Sequence, residues 1–250
     1  MKLTVLGCWA PYPAPGQACS GYLLEIGEKR VLIDLGHGVF AKLQQVCDFR
    51  QLDAVFISHL HPDHCADLSC LRHALLGAKR LGEEVSLPLY TPGEPDDRFQ
   101  VLVNFEDAFQ LHIIGKSPSQ LLDINGIKAE LFQTLHPIPT FGLAVENDGE
   151  RFVYTADAAW EDKLVEICCQ ADILLCETSL AESDAALAEK GHLTAGQAGA
   201  LASDAGVGKL ILTHFWPGYD IQQLKNEAAE RFTGTIELAV EFGEYSQSSC

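Results

Sequence analysis

The segment Ser58-His59-Leu60-His61-Pro62-Asp63-His64 places three imidazoles and a carboxylate directly after the apolar run that ends at Ile57. His59 and His61 are two residues apart, so on an extended segment they project from the same side. Pro62 suits the first position of a helix, because its fixed φ is helical and its missing N–H has no partner there anyway. A strand that passes into a helix at this point brings all four side chains into one small volume.

This set of nitrogen and oxygen ligands exceeds what one structural metal ion needs. It fits zinc or a similar divalent ion, and two ions rather than one. The alternative is a polar loop that happens to contain histidines. The spacing His-x-His-x-Asp-His at a strand-to-helix junction favours the metal site.

Length and composition indicate an ordinary globular protein. With 250 residues, 47% of them hydrophobic and 21% charged, we expect one domain over residues 1–250. No apolar run approaches the ~18 residues of a membrane span, so we predict no membrane association. The nine cysteines show no metal-type or disulfide-type spacing, and no export signal is visible at the N-terminus. We therefore expect a cytoplasmic protein with reduced thiols.

The charge balance argues against a long nucleic acid as partner. Only 17 Lys and Arg residues face 35 Asp and Glu residues, for a formal net charge of −18, and they form no basic run. Phosphate backbones are held by Lys and Arg, so tight binding of a long nucleic acid is not expected. A small anionic substrate held by metal ions remains compatible, because the ions are the largest local charges in such a site.

Periodicity and turn signals predict strands that cluster first and then alternate with helices. Predicted strands are 2–6, 21–26, 30–33, 54–58, 87–91, 111–114, 127–135, 142–146, 151–154, 173–176, 209–213 and 235–240, and predicted helices are 39–46, 65–81, 161–170, 194–205 and 221–232. Asn147-Asp148-Gly149 is a strong hairpin turn. Residues 82 to 125 are the hardest part to interpret.

The chain resembles the metallo-β-lactamase superfamily in its motifs. After the His-x-His-x-Asp-His segment, the superfamily's remaining motifs are matched by Val31-Leu32-Ile33-Asp34, Thr134-Leu135-His136-Pro137, Thr155-Ala156-Asp157 and Leu212-Thr213-His214. The resemblance covers nearly the whole chain. It implies an α/β protein with a four-layer αββα sandwich and the metal ions at one edge of the sheets.

The resemblance also implies a set of metal ligands. One ion is held by His59, His61 and His136; the other is held by Asp63, His64 and His214; Asp157 bridges the two. Two such ions share a hydroxide that attacks the substrate. Asp63 is expected to orient that water as well, and Asp34 to orient a ligand histidine or, alternatively, to cap a turn.

Two downstream motifs resemble the ribonuclease Z branch. Cys176-Glu177-Thr178-Ser179 and Gly191-His192-Leu193-Thr194 match its Glu-containing and His-containing motifs, in which the His protonates the leaving alkoxide. The alternative for His192 is a residue that merely precedes a helix. Ribonuclease Z also inserts a long arm that grips tRNA between the motif His and the bridging Asp. Here only residues 137–156 fill that interval, and they are predicted to form a loop and a hairpin, so the arm is absent.

We therefore predict a hydrolase with two divalent ions, zinc with manganese as the alternative, that cleaves a small or short phosphodiester. Alternatives are a tRNA 3′-processing endoribonuclease, a thioester or lactone hydrolase, and, in another class, a metal-bound redox or non-catalytic binding module. A homodimer is implied by the resemblance. The segment Phe215-Trp216-Pro217-Gly218-Tyr219 is the best candidate for a substrate-facing rim.

Overall fold

Two seven-stranded sheets form the centre of the molecule in the computed structural model, which describes residues 1–105, 107–115, 117 and 119–246. The strands of the first sheet are β1 (Lys2–Gly7), β2 (Gly21–Ile26), β3 (Lys29–Ile33), β4 (Ala54–Phe56), β5 (Leu87–Pro92), β6 (Phe109–Ile114) and β14 (Glu244–Ser246). The strands of the second are β7 (Ser119–Ile124), β8 (Ile127–Gln133), β9 (Phe141–Asn147), β10 (Glu150–Tyr154), β11 (Ile173–Glu177), β12 (Lys209–Thr213) and β13 (Thr235–Leu238). Their spatial orders are β14-β1-β2-β3-β4-β5-β6 and β13-β12-β11-β10-β9-β8-β7.

Helices cover the outer faces of both sheets. The α-helices are α1 (Val39–Val46), α2 (Pro62–Cys65), α3 (Leu68–Arg80), α4 (Asp96–Val103), α5 (Asp162–Ile167), α6 (Ala195–Asp204) and α7 (Ile221–Ala229), and 3₁₀ segments cover Phe49–Gln51 and Glu182–Lys190. One core joins the inner faces of the sheets and continues beneath α5, α6 and α7. The other lies between the first sheet and α1, α3 and α4. The αββα sandwich predicted from the motifs is thereby confirmed.

Alternation along the strands produces the two layers of core. In β2, Tyr22 and Leu24 pack into the core between the sheets, whereas Leu23 packs outward beneath the helices. Successive side chains of a strand point to opposite faces, so a strand that is apolar throughout is buried on both sides. Such runs are what the sequence shows around positions 31–33, 54–57 and 210–212.

Strand direction brings the functional motifs to one edge. In the second sheet β10, β11, β12 and β13 are parallel, and β8 runs the same way because two antiparallel pairings separate it from β10. In the first sheet β3 and β4 are parallel. The carboxyl ends of these strands are therefore the places where site residues from distant parts of the chain can meet.

Several predicted elements differ from the observed ones. The helix predicted over 65–81 is broken after Cys65, because the N–H of Asp67 donates to Leu35 O (3.0 Å) while Asp63 O, its expected partner, accepts from Ser20 N. The helix predicted over 161–170 ends at Ile167, and Gln170 lies in the left-handed region (φ 53°). Strands β7 and β14 and the 3₁₀ segment Glu182–Lys190 were not anticipated.

The hairpin between β9 and β10 is as predicted. Asp148 and Gly149 have positive φ values of 51° and 80°, as a two-residue hairpin turn requires. This hairpin and the short loop before it occupy the interval in which an arm would be inserted. The pairing of β14 with β1 brings the two ends of the described chain into one sheet, which supports the proposal of one domain for residues 1–250. None of the helices in the described part of the chain is long and apolar enough to cross a membrane.

Candidate metal centre

The seven side chains proposed as metal ligands converge at the carboxyl edge of the two sheets. Ligand atoms of His59, His61, His136 and Asp157 lie within 4.8 Å of one another, and so do those of Asp63, His64 and His214. His59 follows β4, His136 follows β8, Asp157 follows β10 and His214 follows β12. Pro62 occupies the first turn of α2, so Asp63 and His64 turn back toward the strand ends.

The backbone at these strand ends is unusual. Asp34, Ala156 and His214 follow β3, β10 and β12, and all three have positive φ values (57°, 54° and 63°). For residues with a Cβ this left-handed conformation costs about 1 kcal/mol or more each, so the surrounding structure must hold it in place. Each of these residues is part of the site or adjoins it in sequence.

The first cluster brings three imidazole nitrogens and one carboxylate oxygen together. The Nδ1 atom of His61 lies 3.0 Å from His59 Nε2 and 3.1 Å from His136 Nε2. Nitrogens 2.0–2.1 Å from a zinc ion at tetrahedral angles are about 3.3 Å apart, so an ion fits between these three with a small outward shift. Asp157 Oδ2 lies 3.5 Å from His59 Nε2 and 3.8 Å from His136 Nε2, where it could be a fourth ligand.

The other oxygen of Asp157 faces the second cluster. Asp157 Oδ1 lies 3.0 Å from His214 Nε2 and 3.3 Å from His64 Nε2. Asp63 Oδ2 lies 3.6 Å from His214 Nε2 and 3.7 Å from His64 Nε2. Asp157 Oδ1 is buried, and no hydrogen bond satisfies it. Buried carboxylate oxygens usually accept a hydrogen bond. One that accepts none and lies between two imidazole nitrogens is suited to bind a metal ion together with them.

Hydrogen bonds from outside the clusters orient the ligands. Asp34 is fully buried and lies 2.8 Å from His64 Nδ1; it also accepts from Ser58 N (2.7 Å), Ser58 Oγ (2.9 Å) and Tyr154 OH (2.7 Å). His136 Nδ1 donates to Gly191 O (2.9 Å), which leaves its Nε2 for the cluster. These contacts fix the tautomers of the rings, as partners behind metal-binding histidines do.

The charge state of the cluster also fits cations. Burial lowers the pKa of His59 well below its usual value, lowers that of His61 to about 4, and lowers that of His136. These imidazoles are therefore neutral at pH 7, the form that binds metal. For His64, burial alone would lower the pKa, but Asp157, Asp34 and Asp63 raise it well above 6.5. Three carboxylates buried around one ring call for positive charge, which divalent ions would supply.

Glu177 and His192 form a pair beside the clusters. His192 Nδ1 donates to Glu177 Oε1 at 3.0 Å. The Glu177 carboxylate also accepts from Ala158 N (3.0 Å), Ser179 N (3.1 Å) and Ser179 Oγ (2.7 Å), so it is held from four directions. Burial alone would lower the pKa of His192, but Glu177, with smaller contributions from Asp157 and Asp63, raises it to about 9. The His192 ring stacks on His214 with centroids 5.7 Å apart.

His192 is more exposed than two of the metal-cluster histidines. Its side chain is 30% exposed, whereas those of His59 and His64 are 0% exposed. A ligand atom of His192 also lies within 4.8 Å of ligand atoms of Asp157 and His214, so proximity alone does not separate it from the ligands. Its Nδ1 is committed to Glu177, and its exposed ring is protonated at neutral pH. Those two features suit a proton donor rather than a ligand.

A cavity of about 450 Å³ opens over the clusters. Its floor and walls are formed by Ala10, Pro11, His61, Pro62, Asp63, Asp157, Ser179, Leu180, Leu187, Lys190, His192, His214 and Trp216. Of the rim segment predicted at 215–219, Trp216 lines the cavity, whereas Phe215 is fully buried and packs edge-on against Trp9.

The structure adds residues that the motifs did not assign. Ser179 Oγ lies 2.7 Å from His214 Nδ1 and donates to Glu177, so it links a metal-cluster ring to the Glu177–His192 pair. The only indication of this role in the sequence is that Ser179 lies two residues after Glu177 in the same motif. Lys190, two residues before His192, lines the cavity. Three other histidines lie elsewhere: His37 and His73 are exposed, and His112 stacks on Tyr90.

The chain is similar to known proteins over most of its length. Residues 29–215 match the family described as Beta-lactamase superfamily domain. The chain is 34% identical over 244 residues to the probable metallo-hydrolase YhfI of Bacillus subtilis, covering 96% of this chain and 97% of that protein. It is 28% identical over 297 residues to a ribonuclease Z of Archaeoglobus fulgidus, covering 94% of each.

Solved structures show the same relationship. The crystal structure of the metallo-beta-lactamase fold protein YhfI from Bacillus subtilis superposes with a TM-score of 0.91 at 31% identity, over 98% of each chain. That of human tRNase Z, short form, superposes with a TM-score of 0.80 at 24% identity over 100% of each chain, which shows the shared fold. The chain therefore belongs to the metallo-β-lactamase superfamily and is a metal-dependent hydrolase of its ribonuclease Z-like branch.

Proposed function

We propose that this hydrolase is a dinuclear phosphodiesterase that cleaves a small or short phosphodiester to a monoester. The observation that carries the proposal is the position of Asp157, whose two oxygens face two different sets of imidazole nitrogens. A single mononuclear site would not need both oxygens of one buried carboxylate.

The donor set favours two zinc ions, with manganese as the alternative. His59, His61 and His136 would hold one ion, Asp63, His64 and His214 the other, and Asp157 both. Imidazole-rich sites suit zinc better than the harder manganese ion. When bound, such a pair of ions supplies a hydroxide at neutral pH and positive charge beside a phosphoryl oxygen.

The leaving-group proton is the task of His192. An alkoxide is a poor leaving group, so its oxygen must receive a proton as the P–O bond breaks. Glu177 holds Nδ1 of His192 and keeps the ring protonated, and the other nitrogen is available to the cavity. Asp63 lines the cavity, and in this proposal it orients the attacking water.

Cavity size and net charge favour a small substrate over tRNA. The cavity over the clusters is about 450 Å³, and the chain carries a formal net charge of −18. The interval 137–156 holds only a loop and the β9–β10 hairpin. Processing of tRNA 3′ ends, suggested by the relatives named ribonuclease Z, is therefore the second candidate, and the thioester or lactone hydrolase is the third.

One panel of substrates tests these candidates. Protein loaded with zinc or manganese is assayed on bis(p-nitrophenyl) phosphate, cyclic nucleotides, a pre-tRNA, a thioester and a β-lactam, with His192→Ala alongside. We expect turnover of small phosphodiesters. With both ions retained, His192→Ala should lose turnover of the cyclic nucleotides, whose leaving group is an alkoxide, and should lose less on bis(p-nitrophenyl) phosphate, whose leaving group needs little protonation. If only the thioester is hydrolysed, and His192→Ala does not change its rate, the protein is a thioester or lactone hydrolase and not a phosphodiesterase. Metal binding without any hydrolysis would indicate a binding module, and bound iron with oxygen reduction a redox one.

A further inference from the structure

The cavity above the two ligand clusters has apolar side chains in its lining as well as polar ones. Pro11, Leu180, Leu187 and Trp216 line it, and Leu187 and Trp216 are 38% and 36% exposed. Large apolar side chains left open to water beside a polar centre form a surface for the apolar part of a ligand. The planar indole of Trp216 gives that surface a preference for planar groups.

This apolar part of the lining is held in place. The Trp216 ring packs edge-on against Tyr219, with centroids 5.8 Å apart, and Tyr219 OH donates to Asp184 in the Glu182–Lys190 segment (2.8 Å). Glu182 anchors that segment by accepting from Gly196 N (3.1 Å) in α6. The Trp216 side and the Leu187 side of the cavity are thereby fixed relative to each other.

Lys190 lines the cavity together with His192 and carries a positive charge. Lys2, Lys29, Lys42, Lys163 and Lys209 each lie within 4.0 Å of a carboxylate. No ion pair among the described residues includes Lys190, although acidic residues outnumber basic ones two to one. The neighbouring Asp184 accepts from Tyr219, and Glu182 from a backbone N–H. An exposed lysine that lines a cavity and has no carboxylate partner is available to an anionic group of a ligand.

The position of Lys190 assigns it to one half of the substrate. It lies two residues before His192, the proposed donor of the proton to the leaving oxygen, and it belongs to the same Glu182–Lys190 segment as Leu187. We propose that Lys190 is a specificity-determining residue for the leaving group, and that the cavity takes a planar, apolar alcohol that carries an anionic substituent. This inference rests on the proposed phosphodiesterase function.

The reaction remains an ordinary hydrolysis. One water is consumed, its oxygen forms the new P–O bond, and the P–O bond to the planar alcohol breaks. The leaving oxygen gains a proton from His192, which regains one from solvent. Lys190 takes no part in the bond changes; its ammonium group stays charged and contacts the anionic substituent throughout.

Two chromogenic substrates that differ by one carboxylate test the proposal. They are methyl 4-nitrophenyl phosphate and methyl 3-carboxy-4-nitrophenyl phosphate, compared by kcat/KM in metal-loaded wild type and in Lys190→Gln. We expect wild type to have the higher kcat/KM on the carboxylated substrate. In Lys190→Gln the ratio of the two kcat/KM values should fall roughly fivefold, which is the effect of losing one exposed charge pair. Lys190→Arg should restore it. Lys128→Gln, which removes an exposed lysine outside the cavity, is the matched control and should leave the preference unchanged.

The apolar part has its own variant. Trp216→Ala should raise the KM of both substrates and leave their ratio as in wild type. An unchanged KM would remove the planar-group assignment. A preference that is absent in wild type, that survives in Lys190→Gln, or that falls equally in Lys128→Gln would overturn the assignment of Lys190.

A binding measurement separates this inference from the proposed function. Quenching of tryptophan fluorescence by 5-methoxy-2-nitrobenzoate and by 4-nitroanisole reports affinity for the leaving-group half without turnover, with Trp216→Phe as the control for the signal. If neither phosphate is hydrolysed but wild type binds the carboxylate more tightly and Lys190→Gln does not, the phosphodiesterase proposal fails and the cavity assignment stands. Equal affinity for the two compounds in wild type contradicts the cavity assignment.

Discussion

Asp34 shows how one buried carboxylate outside the proposed ligand set can control it. It contacts His64 and accepts from Ser58 and Tyr154 while its own backbone has a positive φ. Asp34→Asn replaces one of the two accepting carboxylate oxygens by an NH2 group, which can only donate. We expect zinc affinity to fall about 10- to 100-fold and stability to fall by about 1–3 kcal/mol. Competition with a chromophoric chelator and thermal unfolding measure the two effects.

Tyr154→Phe is the matched control for that change. It removes one hydrogen bond to Asp34 and leaves the contact with His64. Zinc affinity should therefore change less than in Asp34→Asn. Equal losses in the two variants would mean that Asp34 acts through general packing and not through the orientation of His64.

The pKa of His192 predicts how the activity falls at alkaline pH. Because Glu177 raises its pKa to about 9 against the effect of burial, the ring is protonated below that pH and loses its proton above it. Activity on a diester with an alkyl leaving group should thus persist through neutral pH and fall as the pH rises through the pKa of His192. Bound cations add positive charge nearby and move this limb to lower pH, so the difference between variants is the quantity to measure.

Glu177→Gln tests the source of that pKa. Without the carboxylate, burial dominates, and the alkaline limb should move to lower pH in a profile of kcat. For a nitrophenyl leaving group, which needs little protonation, the loss of rate should be smaller. A limb at the same pH in Glu177→Gln would show that the pair does not set the proton donor's pKa.

At the scale of elements, the turn at Gly191 connects the two halves of the site. Gly191 has φ +116°, and a Cβ there would lie 2.6 Å from Pro137 Cδ and 2.7 Å from His136 Nδ1. Its carbonyl accepts from His136, and the next residue is His192. Gly191→Ala should therefore displace both rings, lower the melting temperature, and reduce kcat by more than tenfold. Gly77→Ala, at an open position within α3, should instead raise stability by up to about 1 kcal/mol.

At the scale of the whole molecule, metal removal should loosen the packing of the two sheets. The ligand set draws on strand ends of both sheets, and carboxylates buried there would lose their counter-charge. Ligands that bind only the folded state stabilise it by about 2.7 kcal/mol at 100 times Kd. We expect EDTA to lower the melting temperature and excess zinc to restore it. A melting temperature that is the same with and without EDTA would argue against ions at this site. The homodimer stays a prediction, which light scattering in solution tests.

Sequence alone predicted twelve of the fourteen described strands and the order of the proposed ligands along the chain, because these depend on local patterns. Examples are Pro62 after His61, the apolar runs before Asp157 and His214, and Thr194 before α6. Thr194 caps that helix with Gln197 as the partner in a capping box. Only the tertiary structure decided which oxygen of Asp157 faces which imidazoles, that Ser179 joins His214 to Glu177, and that Lys190 lines the cavity. These features depend on how segments far apart in the chain pack together. Local sequence preferences carry no information about such packing. The break between α2 and α3 has the same origin, since the carbonyl that would have continued the helix accepts from Ser20, far earlier in the sequence.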